Sequence, residues 1–169
     1  MQLTTHLSQN KSAILGRWLN MLYGSYPPET AIFLRREKDR FDNPMGYRIS
    51  EGLEGLYEAL LQETERDQVL NSLDEIIRIR ALQDYAPSKA LAFVFLLKNA
   101  IREEVGEEIR KEDLAGELLD LEARIDGLAL LAFDVYTKRR EKLQDLRVDE
   151  MKRRISGVMR KAGIGGDSL

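Results

Sequence analysis

At 169 residues, with no cysteine and a single histidine, the chain has the length of one domain and no means for disulfides, thiolate metal sites or thiol catalysis. Hydrophobic residues make up 43% and charged residues 33%, which excludes a disordered chain and suits a soluble globular one. The net charge of −3 is unevenly spread: Thr137 to Lys161 holds ten Lys/Arg against four Asp/Glu, a surplus of six positive charges, so the rest of the chain stands at −9. An acidic body with a basic arm speaks to partners more than to fold.

No stretch alternates as a strand does, and no hairpin signal is present. Helical spacing runs throughout. The first helix is expected from about Thr4 to Tyr23, with Leu7, Ile14, Leu15, Trp18 and Leu22 on one face. Gly24-Ser25-Tyr26-Pro27-Pro28 ends it. A short helix follows near Glu29 to Arg36. Asn43-Pro44 reads as an N-cap with proline at the first helical position, opening a helix to about Glu65. The next, about Asp67 to Asp84, is expected to bury Leu70, Leu73, Ile76, Ile77 and Leu82. Tyr85-Ala86-Pro87-Ser88 breaks the chain. From Pro87 to about Val105 a helix is apolar on nearly all sides, which places it at the centre of the domain. Gly106 and the charged stretch to Asp113 are expected to turn the chain into a long last helix reaching Lys161. The expectation is an all-α bundle, globin-like, of about six helices: a core over residues 1–136 and a basic helical extension with a frayed tail over 137–169.

No set of residues points to catalysis, so no enzyme is expected. His6, the lone histidine, lies near the chain start, where neither a dyad nor a haem ligand is expected; no metal, haem or other cofactor is anticipated. Glu103, Glu104, Glu107 and Glu108 lack the Glu-x-x-His partner of bundle metal sites and read as a solvated acidic turn. Gly163, Gly165 and Gly166 follow no strand and make no phosphate loop. More informative are the charges set among apolar residues: Arg78, Arg80 and Asp84 on one helix and Asp134 between Phe133 and Val135. Either the arginine heads snorkel to water, or an Arg–Asp pair joins two helices at a dimer seam or pocket. Phe93, Leu97 and Phe133 are expected in the core, with Trp18 at least partly buried.

In the basic arm, Val148, Met151, Ile155 and Val158 keep 3-4-3 spacing, with Leu143 and Leu146 on a slightly different stripe. Such a helix suits self-association, a protein partner or an anionic membrane surface. Few aromatics interleave the basic residues, which argues against nucleic acid and against the membrane. No signal peptide is expected at the N-terminus, and the longest apolar run, Ala90 to Leu97, is far short of the roughly 20 residues of a membrane span. A cytoplasmic protein is the expectation.

Four blocks in order resemble the N-terminal domain of RsbT co-antagonist proteins of the RsbRD type. They are Lys38-Asp39-Arg40-Phe41 with Asn43-Pro44-Met45-Gly46; Ile76-Ile77-Arg78-Ile79-Arg80-Ala81 with Gln83-Asp84; Pro87-Ser88 followed by Phe93-Val94-Phe95-Leu96-Leu97-Lys98; and Leu128 to Tyr136. The resemblance implies a sensory or regulatory helical domain, similar to the non-haem globin-like modules of stressosome proteins. In such proteins a phospho-accepting STAS domain often follows, and no βα pattern for one occurs here, so the chain is not expected to be the phosphorylated output itself. Taken together, the expected function is a regulatory, non-enzymatic interaction module. It would form a homodimer and couple a signal to a regulatory protein or complex through its C-terminal helix. The alternative is an accessory or assembly protein of a larger complex, such as a membrane-associated respiratory one.

Overall fold

The computed structural model describes residues 2–62, 64–83 and 85–163. Among them every regular element is a helix: α1 (Gln2–Gln9), α2 (Lys11–Tyr23), α3 (Pro28–Arg36), α4 (Pro44–Leu61), α5 (Arg66–Leu82), α6 (Pro87–Leu91), α7 (Phe93–Lys111) and α8 (Ala115–Lys161). The all-α expectation holds. Six expected helices become eight because the first is interrupted at Asn10 and the fifth at Ala92. The chain divides into two compact units, Met1–Tyr136 and Thr137–Leu169.

Local chemistry sets most of the boundaries. The Asn43 side chain accepts from the Gly46 N–H at 2.9 Å, and Pro44 occupies the first turn. Pro27 and Pro28 separate α2 from α3. The turn into α8 is not at Gly106, which stays within α7. Instead Asp113 takes a left-handed φ of 54°, and the Leu114 N–H reaches back to the Ile109 carbonyl at 2.9 Å. Both Ile109 and Leu114 are buried, completing a glycine-type helix stop built on an aspartate. Burial of Val105 and Ile109 on either side of Gly106 outweighs the roughly 1 kcal/mol that a mid-helix glycine costs.

In the first unit the core is formed by Ile14, Trp18 and Leu22 of α2, Ile49, Leu53 and Leu56 of α4, Leu73, Ile76 and Ile77 of α5, and Phe93, Leu97 and Ile101 of α7. Trp18 donates its indole N–H to the Phe93 carbonyl at 2.7 Å, and Tyr57 its hydroxyl to the Leu7 carbonyl at 2.9 Å. Helices α4 and α5 approach closely because Gly52 and Gly55 have no side chain there. A Cβ on Gly52 would lie 2.6 Å from Ile76 Cγ1 and 3.1 Å from the Ser72 carbonyl oxygen. The first half of α8 is held by ion pairs from α7: Arg102 grips Glu122 with two bonds of 2.7 and 2.8 Å, and Lys98 reaches Asp126 at 2.6 Å.

Two expected core residues stand outside it. Leu82, in the last turn of α5, is 65% exposed, and Phe133 is 51% exposed. Helix α8 turns Leu128, Ala132, Val135 and Tyr136 inward, which leaves Phe133 half-exposed on the flank of that face. Likewise the stretch from Pro87 is not buried all round, since Phe95 is 47% exposed.

Candidate interaction surfaces

The first surface grows from a buried arginine. Arg80 is only 1% exposed, so neither its stem nor its head reaches water. Its guanidinium donates to the Ala90 carbonyl (2.9 Å), the Lys89 carbonyl (2.9 Å) and the Ser25 hydroxyl (3.1 Å), and its carbon lies 5.1 Å from the ring centres of both Tyr26 and Tyr85. Lys89 and Ala90 are the last turn of α6, whose carbonyls are the negative end of that helix. Across the junction the backbone bonds run from Ala92 N–H to Ser88 and from Phe95 N–H to Ala92. A side chain from α5 therefore caps the last turn of α6, next to the interruption at Ala92. The Tyr136 hydroxyl adds a 2.7 Å bond to the Tyr85 carbonyl, so α8 is tied to the same corner.

Of the three singled-out charges among the described residues, Arg80 alone is buried. Arg78 is part-exposed and lies 3.5 Å from Glu75. Asp134 is exposed and is bonded to neither arginine. Asp84 lies outside the described residues. His6 Nε2 is 2.9 Å from Glu112, and Glu103 and Glu104 hold Arg17 from α2, so these glutamates serve helix contacts. Among the described residues no group of three or more acidic, histidine or cysteine side chains is placed to hold a metal.

Beside the Arg80 corner runs an apolar groove of about 580 Å³ between the α6–α7 junction and α8, lined by Leu91, Phe95, Ala129, Leu130 and Phe133. Leu130 is 72% exposed. Lys98 and Asp126 form its charged rim, with the Lys98 ammonium 5.6 Å from the Phe95 ring. The groove was hidden in the sequence. Its signal was an excess: Leu128 to Tyr136 carries more apolar residues than one helix face needs.

Among the described residues the second unit is helical to Lys161, and its apolar side chains there are exposed or part-exposed. Leu146, Val148, Met151, Ile155 and Val158 are exposed and Leu143 is part-exposed. Arg154 pairs with Glu150 one turn earlier at 2.6 Å. No helix among the described residues is long and apolar enough to cross a membrane.

Two ionisable groups inside the first unit are strongly perturbed. Burial pushes the Tyr23 hydroxyl up to about 12 and raises that of Tyr57 as well. Both belong to the core, away from the groove.

Comparison with known proteins found no curated protein and no solved structure that matches. One family model, described as the RsbT co-antagonist protein rsbRD N-terminal domain, matches residues 12–151, from the second helix to the first part of the basic arm. That span includes the Arg80 corner, the groove and Met151, and by it the chain belongs to the RsbT co-antagonist protein rsbRD N-terminal domain family.

Proposed function

We propose that this chain is a non-enzymatic regulatory module that dimerises through its core and couples a signal to a protein partner through its C-terminal helix. The observation that carries the reading is α8 itself. It is one helix from Ala115 to Lys161, whose first half contributes Leu121, Ile125, Ala132 and Tyr136 to the core and whose second half is exposed and basic. Membership of a regulatory family supports it. A change felt at the Arg80 corner, where α5, α6 and α8 meet, would bear directly on α8.

The groove is the surface suited to self-association. Phe95, Leu130 and Phe133 expose apolar area, and Leu119, 65% exposed, lies three helical turns before Leu130 on the same side of α8. Together these four side chains expose on the order of 400 Å². A standard interface takes about 800 Å² from each partner and is a little over half apolar, so the patch supplies about one partner's apolar share.

Truncation after Tyr136 tests the coupling. The shortened chain should remain helical and melt cooperatively while losing the proteins that co-purify with the full chain. Retention of those proteins by the shortened form would refute coupling through the arm.

A further inference from the structure

Resting on the reading that the second half of α8 is the coupling element, we propose that its partner presents an acidic amphipathic helix, which pairs with the Val148–Val158 stripe as a short two-helix coil. Val148, Met151, Ile155 and Val158 recur at 3-4-3 spacing and all are exposed. With Val148 and Ile155 at position a of a heptad, and Met151 and Val158 at d, four of the five flanking e and g positions are basic (Arg147, Lys152, Arg154 and Lys161), and Met159 holds the fifth. Asp149 and Glu150 fall at b and c, on the outer face, where Glu150 pairs with Arg154.

In paired helices the e and g residues choose the partner. A second copy of this arm would set Arg147 against Lys152 in the parallel arrangement and the basic g positions against one another in the antiparallel one, a mismatch that opposes self-pairing. A helix with apolar a and d positions and glutamates at e and g would bury the stripe and set negative charge along its basic flanks. The stripe is also narrow, about two residues in seven, which is the width of a coiled-coil seam; a helix lying on a membrane uses a broader face rich in Trp, Phe and Leu, none of which occurs in this seam.

The test uses the full-length chain and three probes: a labelled designed helix with Leu at a and d and Glu at e and g, its twin with Lys at e and g, and vesicles of anionic phosphatidylglycerol. The acidic peptide should bind one per chain, roughly tenfold or more tighter than its twin, and should weaken as salt is added. Met151→Asp with Ile155→Asp should abolish binding. Lys152→Glu, Arg154→Glu and Lys161→Glu together should invert the preference, and the milder glutamine set should erase it, with circular dichroism confirming unchanged helix content. Equal binding of both peptides, binding of neither, indifference to the charge reversal, or binding to vesicles alone would overturn the proposal. If the peptide preference fails while truncation after Tyr136 still strips the partner, coupling through the arm stands and only the partner's chemistry is refuted. A truncated chain that keeps its partner brings down the coupling reading itself.

Discussion

Arg80 shows how one side chain sets local architecture. A buried guanidinium is expected beside a carboxylate, yet the bonds described for Arg80 go to two carbonyls and a hydroxyl, with a tyrosine ring within 5.1 Å on two sides. The planar fork matters as much as the charge. Arg80→Lys should therefore destabilise by roughly 2–4 kcal/mol, since an ammonium reaches at most part of this set and leaves buried carbonyls unpaired. Chemical denaturation of the variant measures it; a loss under about 1 kcal/mol would show that charge alone suffices. The two raised tyrosines make a second prediction. The unfolded chain gives up these protons near pH 10, before the native state does, so stability is full below pH 10 and falls as pH rises towards 12. Replacing Tyr23 and Tyr57 with phenylalanine should flatten that fall in melts across the range.

At the scale of elements, glycine position separates packing from propensity. Gly52→Ala forces a methyl against Ile76 and the Ser72 carbonyl at the α4–α5 contact, and should cost about 1–3 kcal/mol. Gly16→Ala, in the exposed middle of α2 with nothing within 4 Å, should instead stabilise by roughly 0.5–1 kcal/mol. Thermal melts of the pair should move in opposite directions. The same contrast marks what the sequence made legible. Asn43-Pro44, the double proline and the face of α2 around Trp18 are local signals, and they were readable. The capping of α6 was not, because the groups of α6 that Arg80 caps are backbone carbonyls, which leave no trace in residue identity. Phe133 was misplaced for a different reason. From Leu128 to Tyr136 the helix is apolar at every position but Asp134, so periodicity cannot say which of the apolar sides faces the core. Gly106 misled because glycine is a turn signal only where packing does not hold the helix together.

For the whole molecule, the exposed groove and the exposed stripe are separate surfaces with different chemistry, one apolar with a charged rim and one narrow with basic flanks. Light scattering at tens of micromolar should find the full chain dimeric, and Leu130→Glu with Phe133→Glu should render it monomeric. Leu130 is 72% and Phe133 51% exposed, so the double variant should keep its helix content and melt cooperatively, with a melting temperature lowered by the lost dimer contacts. A dimer that survives both substitutions would place the seam elsewhere.

Trp18 has a further use. It is the one tryptophan, it is wholly buried, and its indole N–H is bonded to Phe93, the first residue after the α6–α7 interruption. Its fluorescence is thus an intrinsic optical gauge of that junction, free of any engineered label. Emission should be blue-shifted at rest and move red when the bond to Phe93 loosens. A titrant that fills the nearby groove, or a substitution that unseats Arg80, would then announce itself in the emission spectrum long before the molecule unfolds.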